Sequence, residues 1–301
     1  MLPLRNARTI AILLTSSFFF GIPNSGVKLL SAQTSPSKSQ AKATETARQK
    51  PDYSQEAVVI EQLSTVYRFE RDGTGQRESS VRVKVQSDAG VERFGQLIFP
   101  YSSANEKVDM DYVRVRKADG TVVNAAVTDI QDLTAPVARE APVYTDLRQK
   151  HVTVPGLRPG DVLEYHMVWN ISTPLAQNQF WLEHSFVTKN LIVLDDQFTV
   201  NIPVASKVRL KTEPGFEPTI KEESDRRIYL WKHSNLKPDS EEDEKEKEAA
   251  EEDAQSEEAE EFHPHVQLTT FQSWEEVGQW YANLQKERVV PDEKIKSKQR
   301  K

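Results

Sequence analysis

The residues that most often carry out catalysis are sparse in this sequence of 301 residues. The chain contains no cysteine, which excludes disulfide bonds, thiolate metal sites and a cysteine nucleophile. No Gly-x-Ser-x-Gly elbow is present, and the stretch GTGQRES at residues 73–79 lacks the spacing of a phosphate-binding loop. Any chemistry would therefore depend on histidines and carboxylates.

The six histidines are scattered along the chain. His166 follows Glu164 by two positions in a predicted strand, so the two side chains share a face, whereas the adjacent Glu183 and His184 point to opposite faces. A hydrolase or metal-dependent enzyme using His151, His166 and His184 is one hypothesis, but a polar strand face explains the same residues. We predict no catalytic residue and no enzyme activity.

A second histidine pair occurs in the stretch FHPHV, where His263 and His265 could share one side of an extended segment. Together with nearby acidic residues they would resemble part of a metal site. No third strong ligand stands at a fixed offset from the pair. We therefore predict neither a bound metal nor a cofactor.

The histidines and carboxylates would be positioned by strands, which are predicted from the alternation of apolar and polar side chains. Val81, Val83 and Val85 alternate with polar residues, a period of two that is typical of half-buried strands. The stretch DGTG at 72–75 predicts a hairpin loop, Asp119-Gly120 predicts a second, and DAG at 88–90 predicts a further turn.

Further strands are predicted at 162–171, 180–188, 191–201, 206–212 and 226–232. Residues 128–150 contain two prolines and mixed charge, and we expect an ordered excursion there rather than a strand. About ten short strands with no helical period between them predict a mainly β fold, an antiparallel β-sandwich spanning residues 53–236.

Four basic residues of the predicted strands could form a positive strip on the outer sheet face. They are Arg82, Lys84, Arg114 and Arg116. Aromatic residues do not alternate with them as they do on surfaces that bind single-stranded nucleic acid. We therefore predict that nucleic acid is not a partner.

The N-terminus has the features of a secretory signal. Arg5 and Arg8 precede an apolar run at 10–22 that is short for a membrane span, and small residues follow at 31–33. An uncleaved anchor helix is the alternative. We predict a signal peptide at 1–33, a polar flexible leader at 34–52, and a periplasmic or extracellular protein with no stable membrane insertion after cleavage.

The net charge of −7 is concentrated in one segment. Residues 239–261 hold fourteen acidic residues and two lysines, a local charge of −12, so the rest of the chain carries about +5. A docking site for a basic partner or a loose trap for divalent cations is one interpretation. We expect instead a disordered, low-complexity acidic linker at 237–262.

The stretch SWEEVGQWYANLQKERVV predicts a helix near the C-terminus. Ser273 and Glu276 have the spacing of a capping box. One helical face carries the large apolar residues, namely Trp274, Val277, Trp280, Tyr281 and Leu284. A face of this size requires a surface to cover it. That surface is either the sandwich itself or the remainder of a second domain, of which a helical segment at 263–301 would be the start.

The strand region resembles a bacterial family of unknown function whose members precede a transglutaminase-like, papain-related domain in exported proteins. The most specific part is the run Pro-Gly-Leu-x-Pro-Gly-Asp-x-Leu-Glu-Tyr at 155–165, with its signature turn of Pro155, Gly156, Pro159, Gly160 and Asp161. The stretch FQSWEEVGQWYANL also resembles the segment that leads into the transglutaminase-like domain. The resemblance covers roughly residues 53–235.

The resemblance implies that the aromatic helix belongs to a transglutaminase-like domain whose Cys-His-Asp residues this chain lacks. We expect a non-catalytic exported module that supports, or presents substrate to, such a domain in cis or in trans, here as a truncated or stand-alone fragment. The helix face would be the interdomain interface. The alternative is a cell-envelope binding protein for a polysaccharide or protein ligand, with the segment 128–160 as the first place to look for its site.

Overall fold

A computed structural model of the chain describes residues 52–137, 146–188, 190–237 and 264–286. This part contains fourteen strands and two α-helices. The strands are β1 (Val58–Phe69), β2 (Gly75–Val85), β3 (Gln96–Ser102), β4 (Glu106–Arg116), β5 (Val122–Asn124), β6 (Ile130–Thr134), β7 (Leu147–Thr153), β8 (Val162–Ile171), β9 (Trp181–His184), β10 (Ile192–Pro203), β11 (Arg209–Thr212), β12 (Thr219–Glu223), β13 (Arg226–Asn235) and β14 (Val266–Thr269). The helices are α1 (Asp88–Phe94) and α2 (Trp274–Lys286).

The strands form one large sheet and two small ones. The large sheet has eight strands in the order β12-β13-β10-β1-β2-β8-β4-β5, and the small sheets have the orders β3-β7-β6 and β11-β14-β9. Neighbouring strands are antiparallel except for β1 and β10, which run parallel in the middle of the large sheet. The predicted mainly β, antiparallel sandwich is therefore confirmed, with more strands than the ten expected.

Both small sheets pack on the same face of the large sheet. Leu63 and Phe69 of β1 lie six residues apart with no register shift between them, so their side chains point to the same face. Leu63 packs against the hydrophobic core under β3 and β7, and Phe69 belongs to a second core under β9 and β14. We call this side of the large sheet the covered face and the opposite side the outer face.

Two hydrophobic cores thus lie side by side beneath one sheet. The first core contains Val83, Val115, Leu163 and Met167 of the large sheet together with Val152 of β7, all fully buried. The second core is richer in aromatic residues. It includes Phe69, Phe180, Phe186, Phe198, Tyr229 and Trp231, with Val266 and Leu268 of β14.

Three sequence predictions of local structure were wrong. The expected turn at 88–90 is the first turn of α1, because Ser87 caps the helix by accepting a hydrogen bond from the Gly90 amide at 3.3 Å. The stretch 128–150, expected not to contain a strand, includes β6 and the start of β7. The region expected to be helical from residue 263 includes β14 before α2 begins.

The two errors that concern strands share a physical cause. The strands β6, β7 and β14 are short or polar, and two of them pair with strands far away in the sequence, β7 with β3 and β14 with β9 and β11. A strand of this kind is stabilised by its neighbours in the sheet rather than by its own alternation of residues. The predicted hairpins at 72–75 and 119–120 are present, because β1 pairs with β2 and β4 with β5 across those loops.

Candidate functional site

The signature turn lies between β7 and β8 and is fastened to two other strands by lysines. Lys117, just after β4, donates to the carboxylate of Asp161 at 2.8 Å and also to the carbonyl oxygen of Gly156. Lys84 of β2 donates to the carbonyl oxygen of Gly160 at 2.5 Å. The turn is therefore held at both glycines by cations from neighbouring strands.

The backbone of the turn completes this attachment. The Gly160 amide donates to the Val85 carbonyl at 2.8 Å, and the Val85 amide donates to the Asp161 carbonyl at 3.0 Å. The side chain of Asp161, which is buried, also accepts from the amide of Arg158 at 2.8 Å. Pro155 and Pro159 flank Leu157, whose side chain reaches the first core. The arrangement gives the signature turn a structural role within the fold.

The helix α2 begins with the predicted cap. Ser273 Oγ accepts from the Glu276 amide at 3.3 Å, while the Glu276 carboxylate accepts from the Gln272 amide at 2.8 Å. The reciprocal bond therefore reaches one residue further back than the capping box of the sequence analysis. The first bond satisfies an amide group that the first helical turn leaves without a partner, and the second fixes the chain just before the helix.

The ring of Trp280 packs α2 against the domain. The Trp280 ring lies 5.8 Å from the rings of both Trp181, at the start of β9, and Phe271. Trp181 and Phe271 are also 5.8 Å apart, so the three rings form a closed cluster. The structure thus attaches the helix to the edge of the smaller sheet β11-β14-β9.

Most of the apolar helix face remains accessible to solvent. The exposed fractions are 47% for Trp274, 58% for Tyr281 and 44% for Leu284, and Val277 is half-buried. No residue of α2 is fully buried. The stripe predicted as an interdomain interface is therefore an apolar surface on this part of the chain, more covered at Val277 and Trp280 than at Tyr281 and Leu284.

The histidines considered for catalysis lie in three separate surroundings. His151 contacts Gln149 on the small sheet β3-β7-β6, with 3.0 Å between ring nitrogen and amide oxygen. His166 lies on the large sheet, 2.6 Å from Asp111 and 3.6 Å from Glu78. His184 belongs to the second core, where its ring stacks on Phe198 at 3.8 Å. The structure does not bring the three together.

The predicted opposite orientation of Glu183 and His184 is present, because Glu183 accepts from Gln267 while the half-buried His184 stacks on Phe198 of the second core. His263 lies outside the described residues. His265 Nδ1 accepts from the Phe186 amide at 3.0 Å, and its ring stacks on Phe216 at 4.1 Å. Within the part of the chain that the structure describes, no three His, Asp or Glu side chains are placed to hold a metal ion.

The basic strip on the outer face is partly neutralised. Glu164, whose side chain is only 8% exposed, accepts from Arg114 at 2.6 Å and from Arg116 at 3.5 Å, and it also pairs with Arg82. Arg82 donates further to Glu61 at 2.5 Å. Glu164 and these arginines tie together β2, β8 and β4 in a charge network.

The covered face carries a polar strip that was not predicted from the sequence. It consists of Thr65 and Tyr67 of β1 with Arg77 and Ser79 of β2, all half-buried, and we call it the central strip. It lies between the two cores, where a sandwich normally has hydrophobic side chains. Alternation alone could have placed Arg77 and Ser79 on the face of Val81, but not beside an aromatic ring from β8.

Among the residues that the structure describes, no helix is both long and apolar enough to cross a membrane.

Residues 71–240, more than half of the chain, match the model of a Domain of Unknown Function for which a structure has been solved, DUF3857. The chain belongs to the DUF3857 family. Membership establishes a domain of unknown function and leaves the association with a transglutaminase-like domain as a prediction.

Solved structures are similar to parts of this chain at low sequence identity. A putative protease from Parabacteroides distasonis superposes with a TM-score of 0.59 at 16% identity, over 72% of this chain and 41% of that protein. An M1 zinc metallopeptidase from Deinococcus radiodurans gives 0.32 at 10% identity, over 59% of this chain and 39% of that one. Leukotriene A4 hydrolase from Saccharomyces cerevisiae gives 0.33 at 11% identity, over 65% and 30%.

Only the first of these similarities is strong enough to indicate a shared fold, and this chain corresponds to less than half of that protein. None of the curated proteins matches the chain.

Proposed function

We propose that this DUF3857 chain is a non-catalytic, exported module that supports a transglutaminase-like domain or presents substrate to it, in cis or in trans. The observation that carries the proposal is the capped helix α2, whose aromatic face is anchored at Trp280 and exposes Tyr281 and Leu284 to solvent. Apolar surface of this kind typically marks an interface.

Two further observations support the proposal. The Parabacteroides distasonis protein that shares this fold is named a putative protease, and more than half of its length lies outside the superposed region. Among the described residues, the signature turn and the histidines His151, His166, His184 and His265 are engaged within the fold, as expected for a domain that acts through its surface. Export rests on the signal-like sequence of residues 1–33.

The alternative role is a binding protein of the cell envelope. The central strip favours it, because a half-buried arginine and hydroxyl groups provide recognition chemistry that a purely structural interior lacks. The segment 128–160, where we expected such a site, contributes β6, β7 and the signature turn, and part of it lies outside the described residues.

The experiment begins with the reading frame. DNA sequence beyond the codon for Lys301, together with the mass of the intact protein from the native cell, shows whether a transglutaminase-like domain follows in cis. For action in trans, the full chain is titrated calorimetrically with a purified transglutaminase-like domain from the same organism. We expect Tyr281→Ala with Leu284→Ala to weaken binding roughly tenfold or more.

The matched control is Gln279→Ala, which changes the opposite, exposed side of the same helix. It should leave the affinity within about twofold. A reading frame that ends at Lys301, combined with no binding or with binding that ignores the Tyr281 and Leu284 changes, would refute the proposal.

A further inference from the structure

The middle of the covered face is polar although both of its flanks are hydrophobic. Thr65 pairs across the strands with Ser79, and Tyr67 pairs with Arg77. The adjoining β10 residues are Phe198 and Val200, and the adjoining β8 residues are Met167 and Trp169. A strip of two hydroxyls, a phenol and a guanidinium therefore separates the two cores, and each of its four side chains remains partly open to solvent.

Aromatic rings fix the orientation of Arg77. The centre of its guanidinium lies 3.9 Å from the centroid of the Trp169 ring and 5.9 Å from that of Tyr67. Its Nη1 donates to the Tyr67 hydroxyl at 3.4 Å, a long hydrogen bond. The stacking stabilises the planar cation without using its N–H groups, so most of these donors are available to a ligand.

Arg77 differs from other buried or half-buried arginines of the same sheet in its counter-ions. Arg226 pairs with Glu70 at 3.0 Å, Arg114 with Glu164 at 2.6 Å, and Arg82 with Glu61 at 2.5 Å. Among the described residues, no carboxylate lies within ion-pair distance of Arg77. A half-buried cation that lacks a counter-ion favours an anionic ligand, because the ligand restores the electrostatic balance.

We propose that the central strip binds an acidic peptide, with Arg77 holding one of its carboxylates. Because stacking already fixes the orientation of the planar guanidinium, it can donate two parallel hydrogen bonds to the two oxygens of a carboxylate. The Thr65 and Ser79 hydroxyls stand one same-face step further along their strands, about 7 Å away. An extended peptide repeats its own side chains at the same spacing, so adjacent same-side groups can meet Arg77 and the hydroxyls together.

This proposal does not depend on a partner for α2, because the strip is formed by β1, β2 and β8 alone. The competing explanation is that Arg77 only joins the two cores by stacking. The binding proposal and the stacking explanation predict different effects of substituting Arg77. Loss of stacking alone lowers stability, whereas loss of a binding site lowers affinity even in variants that remain folded.

The test uses the full chain and a capped peptide of six glutamates, with the corresponding six-glutamine peptide and inorganic phosphate as comparison probes. We expect the glutamate peptide to bind and the glutamine peptide not to bind, as measured by calorimetry. Arg77→Gln should weaken binding at least tenfold. Arg77→Lys should weaken it roughly fivefold, because lysine retains the charge but not the planar fork.

The matched control is Arg68→Gln, which removes an exposed arginine from the other face of β1. It should change affinity less than twofold. Equal losses in the Arg68 and Arg77 variants would show a general attraction to the basic surface and overturn the proposal. Absence of glutamate-peptide binding, or tighter Arg77-dependent binding of phosphate than of peptide, would also overturn it.

If Arg77→Gln does not fold, the double variant Thr65→Val with Ser79→Ala takes its place, since neither hydroxyl supports a ring contact. We expect binding at least threefold weaker, with an unchanged denaturation midpoint. Unchanged affinity in this folded variant would show that the central strip only packs between the two cores, and it would refute the proposed binding site.

Discussion

Lys117 stabilises the signature turn through an ion pair that solvent scarcely reaches. Its side chain is 22% exposed and that of Asp161 is 6% exposed. Replacement by methionine keeps the aliphatic stem but leaves the buried carboxylate without its cation. We expect Lys117→Met to lower the free energy of unfolding by about 2–4 kcal/mol, measured by urea denaturation.

The control for this change is Lys107→Met, which removes an equivalent charge from a pair with Asp109 on the surface. The Lys107 side chain is 75% exposed, so the loss should stay within about 0.5 kcal/mol. Equal effects of the two substitutions would mean that burial of the Lys117–Asp161 pair is not what holds the turn.

The buried Asp196 and the half-buried His184 have pKa values that are shifted in opposite directions. Burial raises the pKa of Asp196 to about 7, with the Asp195 charge adding to the shift and the Val187 amide opposing it. Burial, with a smaller contribution from His265, lowers the pKa of His184 to about 3. Neither Asp196 oxygen makes a normal hydrogen bond within the described residues.

These shifts act on stability with opposite signs. Between about pH 4 and pH 7 the folded protein holds a proton on Asp196 that the unfolded chain releases, so Asp196 favours folding more as the pH falls. Between about pH 3 and pH 6.5 the folded protein lacks a proton that unfolded His184 binds, so His184 favours folding less as the pH falls. The two effects oppose each other over most of this range.

The variant Asp196→Asn should separate the two effects. We expect it to raise the free energy of unfolding at pH 8 by on the order of 2–4 kcal/mol, because the buried charge is gone. Below pH 6.5 its stability should fall more steeply than that of the wild type, because the His184 effect is no longer opposed. Urea denaturation from pH 4.5 to pH 8.5 measures both, with the exposed Asp225→Asn as control. Parallel profiles for wild type and variant would contradict the argument.

At the residue level, sequence located the signature turn and the apolar helix stripe, but not the groups that contact them. Lys84 and Lys117 are far from residues 155–161 in sequence and meet them only through the pairing of β2 and β4 with β8. The central strip was missed for the same reason. The contact between Arg77 and Trp169 depends on strand register, which residue spacing does not reveal.

The loop between β1 and β2 contains a glycine that lies in close contact with the loop before β9. Gly73 has a φ of +88°, and a Cβ atom there would lie 2.4 Å from the carbonyl oxygen of Gln179. Gly160 has a similar φ of +94°, but a Cβ atom there would meet nothing within 4 Å. The two glycines therefore share a backbone conformation and differ in contact.

This pair separates backbone strain from steric overlap. Gly160→Ala should lower stability by about 1–2 kcal/mol, the usual strain of an L-residue in the left-handed region. Gly73→Ala should lower it by roughly 3 kcal/mol or more, because the loop that precedes β9 must also move. Thermal unfolding of the two variants measures the difference. Equal losses of stability would show that the loop around Gln179 moves away from a Cβ atom at position 73 at no cost.

Elements were predictable where their signals are local. The strand β8 was predicted with its observed ends, and the cap of α2 was recognised from Ser273 and Glu276, because alternation and capping depend on neighbouring residues. Helix α1 was mistaken for a turn since its cap, Ser87, precedes only seven helical residues. Its packing is decided instead by Gly90, where a Cβ atom would lie 2.4 Å from the Ala57 carbonyl oxygen.

The arrangement of the whole molecule could not be derived from local patterns. The parallel pairing of β1 with β10 joins residues more than one hundred positions apart in the middle of the large sheet. This pairing divides the covered face between two cores, since β10 and β13 carry the second core and β2, β4 and β8 the first. The sequence predicted a sandwich, but the division of one side into two small sheets depends on this long-range contact.

Because the two cores share one hydrogen-bonded sheet, we expect them to unfold together. Val83 of the first core and Val200 of the second are both fully buried. Substitution of either by alanine should lower the free energy of unfolding by about 1–3 kcal/mol. The loss should spread to both cores, since β1 and β2 cannot leave the sheet without exposing residues of each.

Hydrogen exchange resolved by peptide measures whether both cores are destabilised together. Each variant should speed the slow, globally protected exchange of β2, β8, β10 and β13 alike. Faster exchange confined to β9, β10, β13 and β14 in Val200→Ala would instead show that the second core unfolds as a unit of its own.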